Sequence, residues 1–268
     1  MKLLNLNDRL FKYHLINSPN LNNIKQLKIV KKIGGKSKNS SIYLCHFNQT
    51  NFNTCLKKST DNYKDFRLSL RLSSLVLRDI NPHFLIIYRL IDRNSTISEL
   101  ATGDLKSFLS SYISIDIVLN TFLQVILSIH SFHMYTELNH GDCYHGNFLY
   151  HRIEKTNSYF HYKILDNDFY IKNDGYIWMI NDFDLANHSE NEEINNQSQY
   201  DDFKIAMEAF KKYNKNSSET LKTLIKKIID IVWNNNNSFD LILELISVFK
   251  LNSSNSNKKS YNTSPYLL

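Results

Sequence analysis

Residues 140–149 read HGDCYHGNFL. The stretch ends a long apolar segment and sets Asp142 five residues before Asn147. An Asp in such a loop can orient a hydroxyl and accept its proton, and an Asn can offer an amide oxygen to a divalent cation. An Asx-rich loop that caps a helix end has the same composition. The choice between these readings rests on what the chain carries before and after this point.

Before it, "LKIVKKI" (27–33), "SIYLCHF" (41–47) and "NTCLKKS" (53–59) are short strand-like runs with Gly, Ser, Asn and Lys between them. That is the pattern of consecutive antiparallel strands joined by hairpins. "YKDFRLSLRLSSLVLRDI" (63–80) turns to helical periodicity, with Leu68, Leu72, Leu75 and Val76 on one face, and "NPHFLIIYRLI" (81–91) returns to a strand. Over residues 114–133, Val118, Phe122, Val125, Ile126 and Ile129 form a broad apolar stripe, as in a buried helix that delivers the chain to His140. After the loop, Tyr159–Asp182 reads as β structure, with "NDG" (173–175) as its hairpin turn. "YDDFKIAMEAFKKY" (200–213) and "TLKTLIKKIIDIVW" (220–233) read as helices. Residues 1–26 are polar and irregular and are expected as a surface extension, and 251–268 as a disordered tail. The fold class expected is therefore α+β, with the β part first.

Composition narrows the function classes. The net charge is +6 with a pI of about 9.0, but no dense Lys/Arg block or aromatic–basic alternation accompanies it, so a solvated basic surface is expected and no specific nucleic-acid contact. Three scattered cysteines fit neither a disulfide framework nor a zinc site, which points to a reducing compartment. "MKLLNLNDRLF" (1–11) breaks its apolar run with Asn and Asp and does not read as a signal peptide, and runs such as Phe84–Tyr88 are too short to span a bilayer. No membrane association is expected.

Three further landmarks flank the loop. "IGGKSKNSSIYL" (33–44) puts small residues in a turn between strands, where backbone N–H groups can approach phosphate or simply close a hairpin. Lys57 lies on the next strand, as a cation for phosphates or as a solvated charge. Asp182 ends the apolar strand of "IWMINDFDLA" (177–186), where a carboxylate can reach a metal or close a turn.

In order and spacing the four resemble the signature set of protein kinases: Gly-rich loop, strand Lys, H-R-D-L-x-x-x-N and D-F-G. They read G-G-K-S-K-N-S-S-I, T-C-L-K, H-G-D-C-Y-H-G-N and D-F-D in this chain, and the resemblance spans about residues 28–250. It is nearest to the serine/threonine protein-kinase-like proteins of large nucleocytoplasmic DNA viruses. It implies a two-lobed kinase-like fold, with a small β-rich N-lobe (27–100) and a mainly helical C-lobe (101–250) carrying a β-hairpin insertion before the metal-binding Asp. Further implications are ATP with Mg²⁺ or Mn²⁺ as cofactors, a protein substrate, and a place in the host cytoplasm or virion. By the same resemblance Asp142 and Lys57 are catalytic, and Asn147 and Asp182 hold the metal. Ile33, Gly34, Gly35, Ser37, Ile42 and Lys57 would contact the nucleotide, with the backbone of Glu99 and Ala101 in "SELATGDLKSFL" (98–109) reading the adenine edge.

The chain departs from that pattern at several places. Of the three loop glycines only Gly35 remains, with Ser37 and Ser40 at the others. Gly141 stands where the Arg that clamps a phosphorylated activation loop would be, Tyr144 where a Lys would be, and Asp184 where the last Gly would be. The helix Glu that pairs with the strand Lys is missing, and Asp65, early in the helix, is the nearest acid. No A-P-E segment is present. These departures keep two alternatives open: a pseudokinase that binds or scaffolds without turnover, and a small-molecule phosphotransferase, which H-G-D-x-x-x-G-N also resembles.

Overall fold

The period-two pattern of the first hundred residues becomes a five-stranded antiparallel sheet. The computed structural model describes residues 6–17, 27–34, 40–47, 52–60, 63–111, 114–213, 218–235, 237–249, 251, 260–262 and 264–268. Gly35 and Ser37 lie outside the described residues. The chain opens with helix α1 (Leu6–Ile16), followed by β1 (Leu27–Gly34), β2 (Ser40–Phe47), β3 (Asn53–Ser59), helix α2 (Tyr63–Leu77), β4 (Ile87–Asp92) and β5 (Ser95–Glu99). The strand order is β1-β2-β3-β5-β4. Register sets Ile42 of β2 and Thr96 of β5 on either side of Lys57 in β3. Along β3, Thr54 and Leu56 are buried, whereas Cys55 and Lys57, which point to the other face, are half-buried.

A short strand β6 (Gly103–Asp104) leads into α3 (Leu105–Leu109), which opens with a capping box between Asp104 and Ser107. The long helix α4 (Ile115–Thr136) follows. Its expected stripe is buried throughout, from Val118 to Ile129. By length and composition α4 could cross a membrane, a possibility the sequence reading did not weigh; 78% of its apolar window is buried inside the fold, as in a core helix.

Strands β7 (Phe148–Arg152), β8 (Tyr159–Ile164), β9 (Asn167–Lys172) and β10 (Tyr176–Ile180) come next. β10, β7 and β6 form one small sheet, and β8 and β9 form a separate hairpin between β7 and β10. That hairpin turns at Leu165–Asp166, not at Asn173–Gly175 as the sequence suggests. The NDG stretch instead hands the chain from β9 to β10, with Gly175 at φ 91 and its N–H donating to Asn173 Oδ1 at 3.0 Å. The motif does supply the positive φ, but the strands on either side of it belong to different sheets.

The outer edge of β10 is covered partly by side chains and partly by the main chain that precedes β4. Trp178 N donates to Gln124 Oε1 of α4 at 3.0 Å, Trp178 O accepts from His83 Nδ1 at 2.7 Å, and Ile180 N donates to His83 O at 3.0 Å. Buried edge groups without such partners would be costly. Since β10 ends at the residue before Asn181, these bonds fix where Asp182 emerges.

Helices α5 (Glu192–Tyr213), α6 (Glu219–Asn234) and α7 (Ser238–Val248) complete the C-terminal half, and the chain as a whole is α+β. Two expectations are corrected at its ends. The first residues are not irregular surface chain: Leu6–Ile16 is a helix with Arg9 and Ile16 buried. The tail is not disordered over its last residues: β11 (Tyr266–Leu267) joins β8 in parallel, and Leu267 N donates to Ile80 O at 3.1 Å. Tyr266, buried in the core, anchors it. Polar composition hid both segments, because in each only a few residues carry the burial.

Two core histidines make the fold acid-sensitive. His83 donates from Nδ1 to a carbonyl and accepts at Nε2 from the Tyr162 hydroxyl at 3.1 Å, which commits it to the neutral form. Burial pushes it down to about 4, and burial pushes His130 down to about 3. The unfolded chain therefore binds more protons than the folded one below about pH 6.5, so stability is full above that pH and falls as pH drops toward 4. Each histidine should contribute a slope of about 1.4 kcal/mol per pH unit inside that window. Urea unfolding between pH 7 and pH 5 should show the decline, and His130→Phe should flatten it.

Candidate active site

Lys57 gathers three carboxylates. Its ammonium lies 2.8 Å from Asp65 Oδ2, 2.5 Å from Asp182 Oδ1 and 3.6 Å from Asp184 Oδ2. Burial works against its charge, and Asp65 and Asp182 overcome that and hold it charged above the ordinary lysine range. Asp65 is thus the acid that meets the strand Lys. It lies in the first turn of α2, where a carboxylate also complements the helix dipole. Its early place in the helix is no obstacle, because that end of α2 abuts both β3 and the segment after β10. Asp65 Oδ1 accepts from Phe183 N at 2.9 Å and from Ser69 Oγ, one turn further along, at 3.3 Å.

Asp182 follows β10 with φ 71, a left-handed conformation that Asp tolerates better than most residues. Phe183 is buried and stacks on Phe132 of α4 with ring centroids 5.0 Å apart, while the His140 ring meets its edge at 5.5 Å. The carboxylate oxygens of Asp65, Asp182 and Asp184 lie within 4.8 Å of one another, a set of hard oxygen donors suited to Mg²⁺ or Mn²⁺.

The loop from His140 to Asn147 stands beside this cluster. Asn147 Nδ2 donates to Asp142 O at 2.9 Å and to Asp142 Oδ2 at 3.0 Å. Asn147 O accepts from Asn181 N at 3.0 Å, which sets the loop against the residue before Asp182. Burial raises the Asp142 carboxyl above its ordinary value, the Asn147 amide opposes that, and the charges of Asp182 and Asp202 add to it. Tyr144 is 44% exposed, and its ring lies over Gly146, where a Cβ would come within 2.7 Å of it. Cys143 is fully buried and its thiol is pushed well above the usual range by burial and by Asp202, so it is no nucleophile.

Asp202 of α5 holds the start of the loop, and nothing in the sequence singled it out. Its Oδ2 accepts from His140 N at 2.6 Å and its Oδ1 from Gly141 N at 2.9 Å, while His133 Nε2 lies 2.9 Å from Oδ2. Gly141 has φ 74, and a Cβ there would lie 3.1 Å from Leu185 O, so both conformation and space favour glycine. Asn139 and Asn187 exchange backbone hydrogen bonds at 2.9 and 3.0 Å, which keeps the segment after Asp184 beside the loop.

The expected site residues thus form two contacting pairs, Lys57 with Asp182 and Asp142 with Asn147, joined through Asn181. Asp182 clusters with Asp65 and Asp184, while Asn147 makes its side-chain bonds to Asp142. Ile33 and Gly34 end β1, and Gly34 pairs with Ile42. Glu99 ends β5 opposite Thr54, three residues along the strand from the partner of Lys57, and Ala101 follows it half-buried. The Glu99 side chain points into the interior and meets Arg9, which sequence reasoning also missed. No protein-family model matches the chain, and no curated protein matches it either.

Replacing Asp202 by Ala strands the buried His140 N–H, the part-buried Gly141 N–H and His133. Urea unfolding at pH 7 should show a loss of about 3 kcal/mol or more. Asp201→Ala, whose side chain on the same helix is half-exposed, should stay within about 0.5 kcal/mol of wild type.

Proposed function

We propose that the chain is an ATP- and Mg²⁺-dependent phosphotransferase with a two-lobed, protein-kinase-like fold, acting on serine or threonine hydroxyls of a protein. The observation that carries this reading is the Lys57 ammonium bridging Asp65 and Asp182, with the Asp142–Asn147 pair on the adjoining loop. Phosphoryl transfer asks little covalent chemistry of a protein and much positioning and charge neutralisation. Those are the tasks these residues suit.

Lys57 neutralises and holds the inner phosphates of the nucleotide. From the partner of Lys57, three residues of β5 span about 10 Å to Glu99, a separation compatible with an adenine edge read at Glu99 and Ala101. Ile33, Gly34 and Ile42 cover the base and sugar from β1 and β2. Asp182 and Asp184 offer oxygen ligands to Mg²⁺ or Mn²⁺, with the Asn147 amide oxygen alongside. The bound metal supplies charge stabilisation of the transferring phosphoryl group. Asp142 orients the acceptor hydroxyl. As the hydroxyl oxygen bonds to the γ-phosphorus and the bond to the departing ADP breaks, Asp142 takes the hydroxyl proton. A carboxyl raised by burial is better suited to that proton transfer than an ordinary one.

A second reading, a nucleotide-binding module without turnover, is favoured by Tyr144. Its phenol offers a neutral donor where a cation would stabilise the transferring group. Gly141 supplies no guanidinium for a phosphorylated segment, so activity should not require phosphorylation between residues 185 and 200.

The deciding measurement is transfer of labelled γ-phosphate to the chain itself and to generic protein substrates with Mg²⁺ or Mn²⁺. Lys57→Met and Asp142→Asn should each lower turnover by about 10²–10³-fold, with nucleotide affinity largely kept in Asp142→Asn. The acid limb of the turnover profile should lie above the ordinary carboxylate range, because Asp142 must be ionised to act. Equal residual transfer in wild type and both variants would overturn the enzyme reading. Nucleotide binding with no transfer would establish the binding module instead.

A further inference from the structure

A deeply buried ion pair lies behind the end of β5, away from Lys57. Arg9 of α1 is 2% exposed, and its Nη2 and Nε donate to the two oxygens of Glu99 at 2.6 and 2.9 Å. The same Nη2 donates to Phe84 O at 2.9 Å and lies 3.5 Å from Met179 Sδ of β10. Glu99 in turn accepts from Ile86 N at 2.7 Å, while its own N–H donates to Ile86 O at 2.9 Å. His151 Nε2 lies 2.9 Å from Glu99 Oε2. One guanidinium therefore joins α1, the end of β5, the chain entering β4 and the strand that leads to Asp182.

Stability alone is a poor account of this arrangement. Desolvating both members of a buried ion pair offsets most of their attraction. Arg9 Nη1 and the buried Tyr88 hydroxyl also have no hydrogen-bond partner among the described residues, which adds to the cost. What a bidentate fork does well is fix geometry. The element it fixes is Glu99, whose side chain faces inward to Arg9 while its main chain continues to Ala101.

We infer that Arg9 is a positioning residue for base recognition: by locking the Glu99 carboxylate from behind, it sets the Glu99–Ala101 main chain to read the edge of a nucleotide base. The inference rests on the nucleotide-binding reading of the Lys57 site. It makes α1 part of the binding apparatus rather than an appendage. It also separates two determinants of affinity. Lys57 governs the phosphates and Arg9 governs the base.

The test uses the full chain and two probes, ATP and inorganic tripolyphosphate, titrated against wild type, Arg9→Lys and Arg9→Met. Arg9→Met should weaken ATP by about tenfold or more and leave tripolyphosphate unchanged. Arg9→Lys keeps the charge but lacks the fork, so its ATP affinity should fall between the two. Amide exchange at Leu100 and Ala101 should quicken in the same order. If Arg9→Met fails to fold, Arg9→Lys against wild type carries the same comparison. Equal loss for both probes, or a lowered melting temperature with neither affinity changed, would reduce Arg9 to a structural residue and overturn the inference alone. A wild type that binds neither probe would remove the nucleotide reading, and this inference with it.

Discussion

A single ammonium holds the site together. Lys57 belongs to β3, Asp65 to α2, and Asp182 and Asp184 to the segment after β10, and its Nζ brings all three together. Without that cation the three carboxylates would face one another across a partly buried space, where like charges repel strongly. The pairing does more than neutralise. Because Asp65 also accepts from Phe183 N, the Lys57 contact is linked to the ring stack of Phe183 on Phe132, and through it to His140 and the loop beyond. The sheet, the first turn of α2 and the core helix α4 are thus coupled through Lys57 and Asp65.

The loop carrying Asp142 depends on a different device. Its backbone is held from below by Asp202, a carboxylate on α5 that is nearly inaccessible to solvent. Charge-assisted bonds to two successive N–H groups are stronger and more directional than neutral ones. They also commit the loop to a conformation in which Asn147 can bond back to Asp142. Helix α5 therefore supplies an internal support for the loop.

Those parts of the molecule that follow from local pattern were legible in the sequence. Alternation and turn chemistry gave β1 to β3, while the face that Lys57 takes stayed open between a phosphate contact and a solvated charge. Helical periodicity gave the buried side of α4, and spacing gave the Asp142–Asn147 pair. What could not be read depends on contacts between residues far apart in the chain. Asp202 lies about sixty residues from the N–H groups it serves, and nothing near it marks it as buried. Arg9 is ninety residues from Glu99 and sits in a polar stretch of weak periodicity. Tyr266 finds β8 across a segment with no strand pattern of its own. Asp65 was visible as an acid, but its reach depended on where α2 begins and on how that end packs. The NDG stretch shows the converse: its positive φ was legible, but which strands it would join was not.

Gly141 constrains an evolutionary route. Its left-handed backbone and the nearby Leu185 carbonyl leave no strain-free place for a Cβ, so a change to arginine there would strain the loop. The loop would first have to turn over, and the hydrogen bonds from His140 and Gly141 to Asp202 hold it as it is. Any control of this site by a modified residue on the segment after Asp184 would need a cation from elsewhere in the chain or from a second molecule.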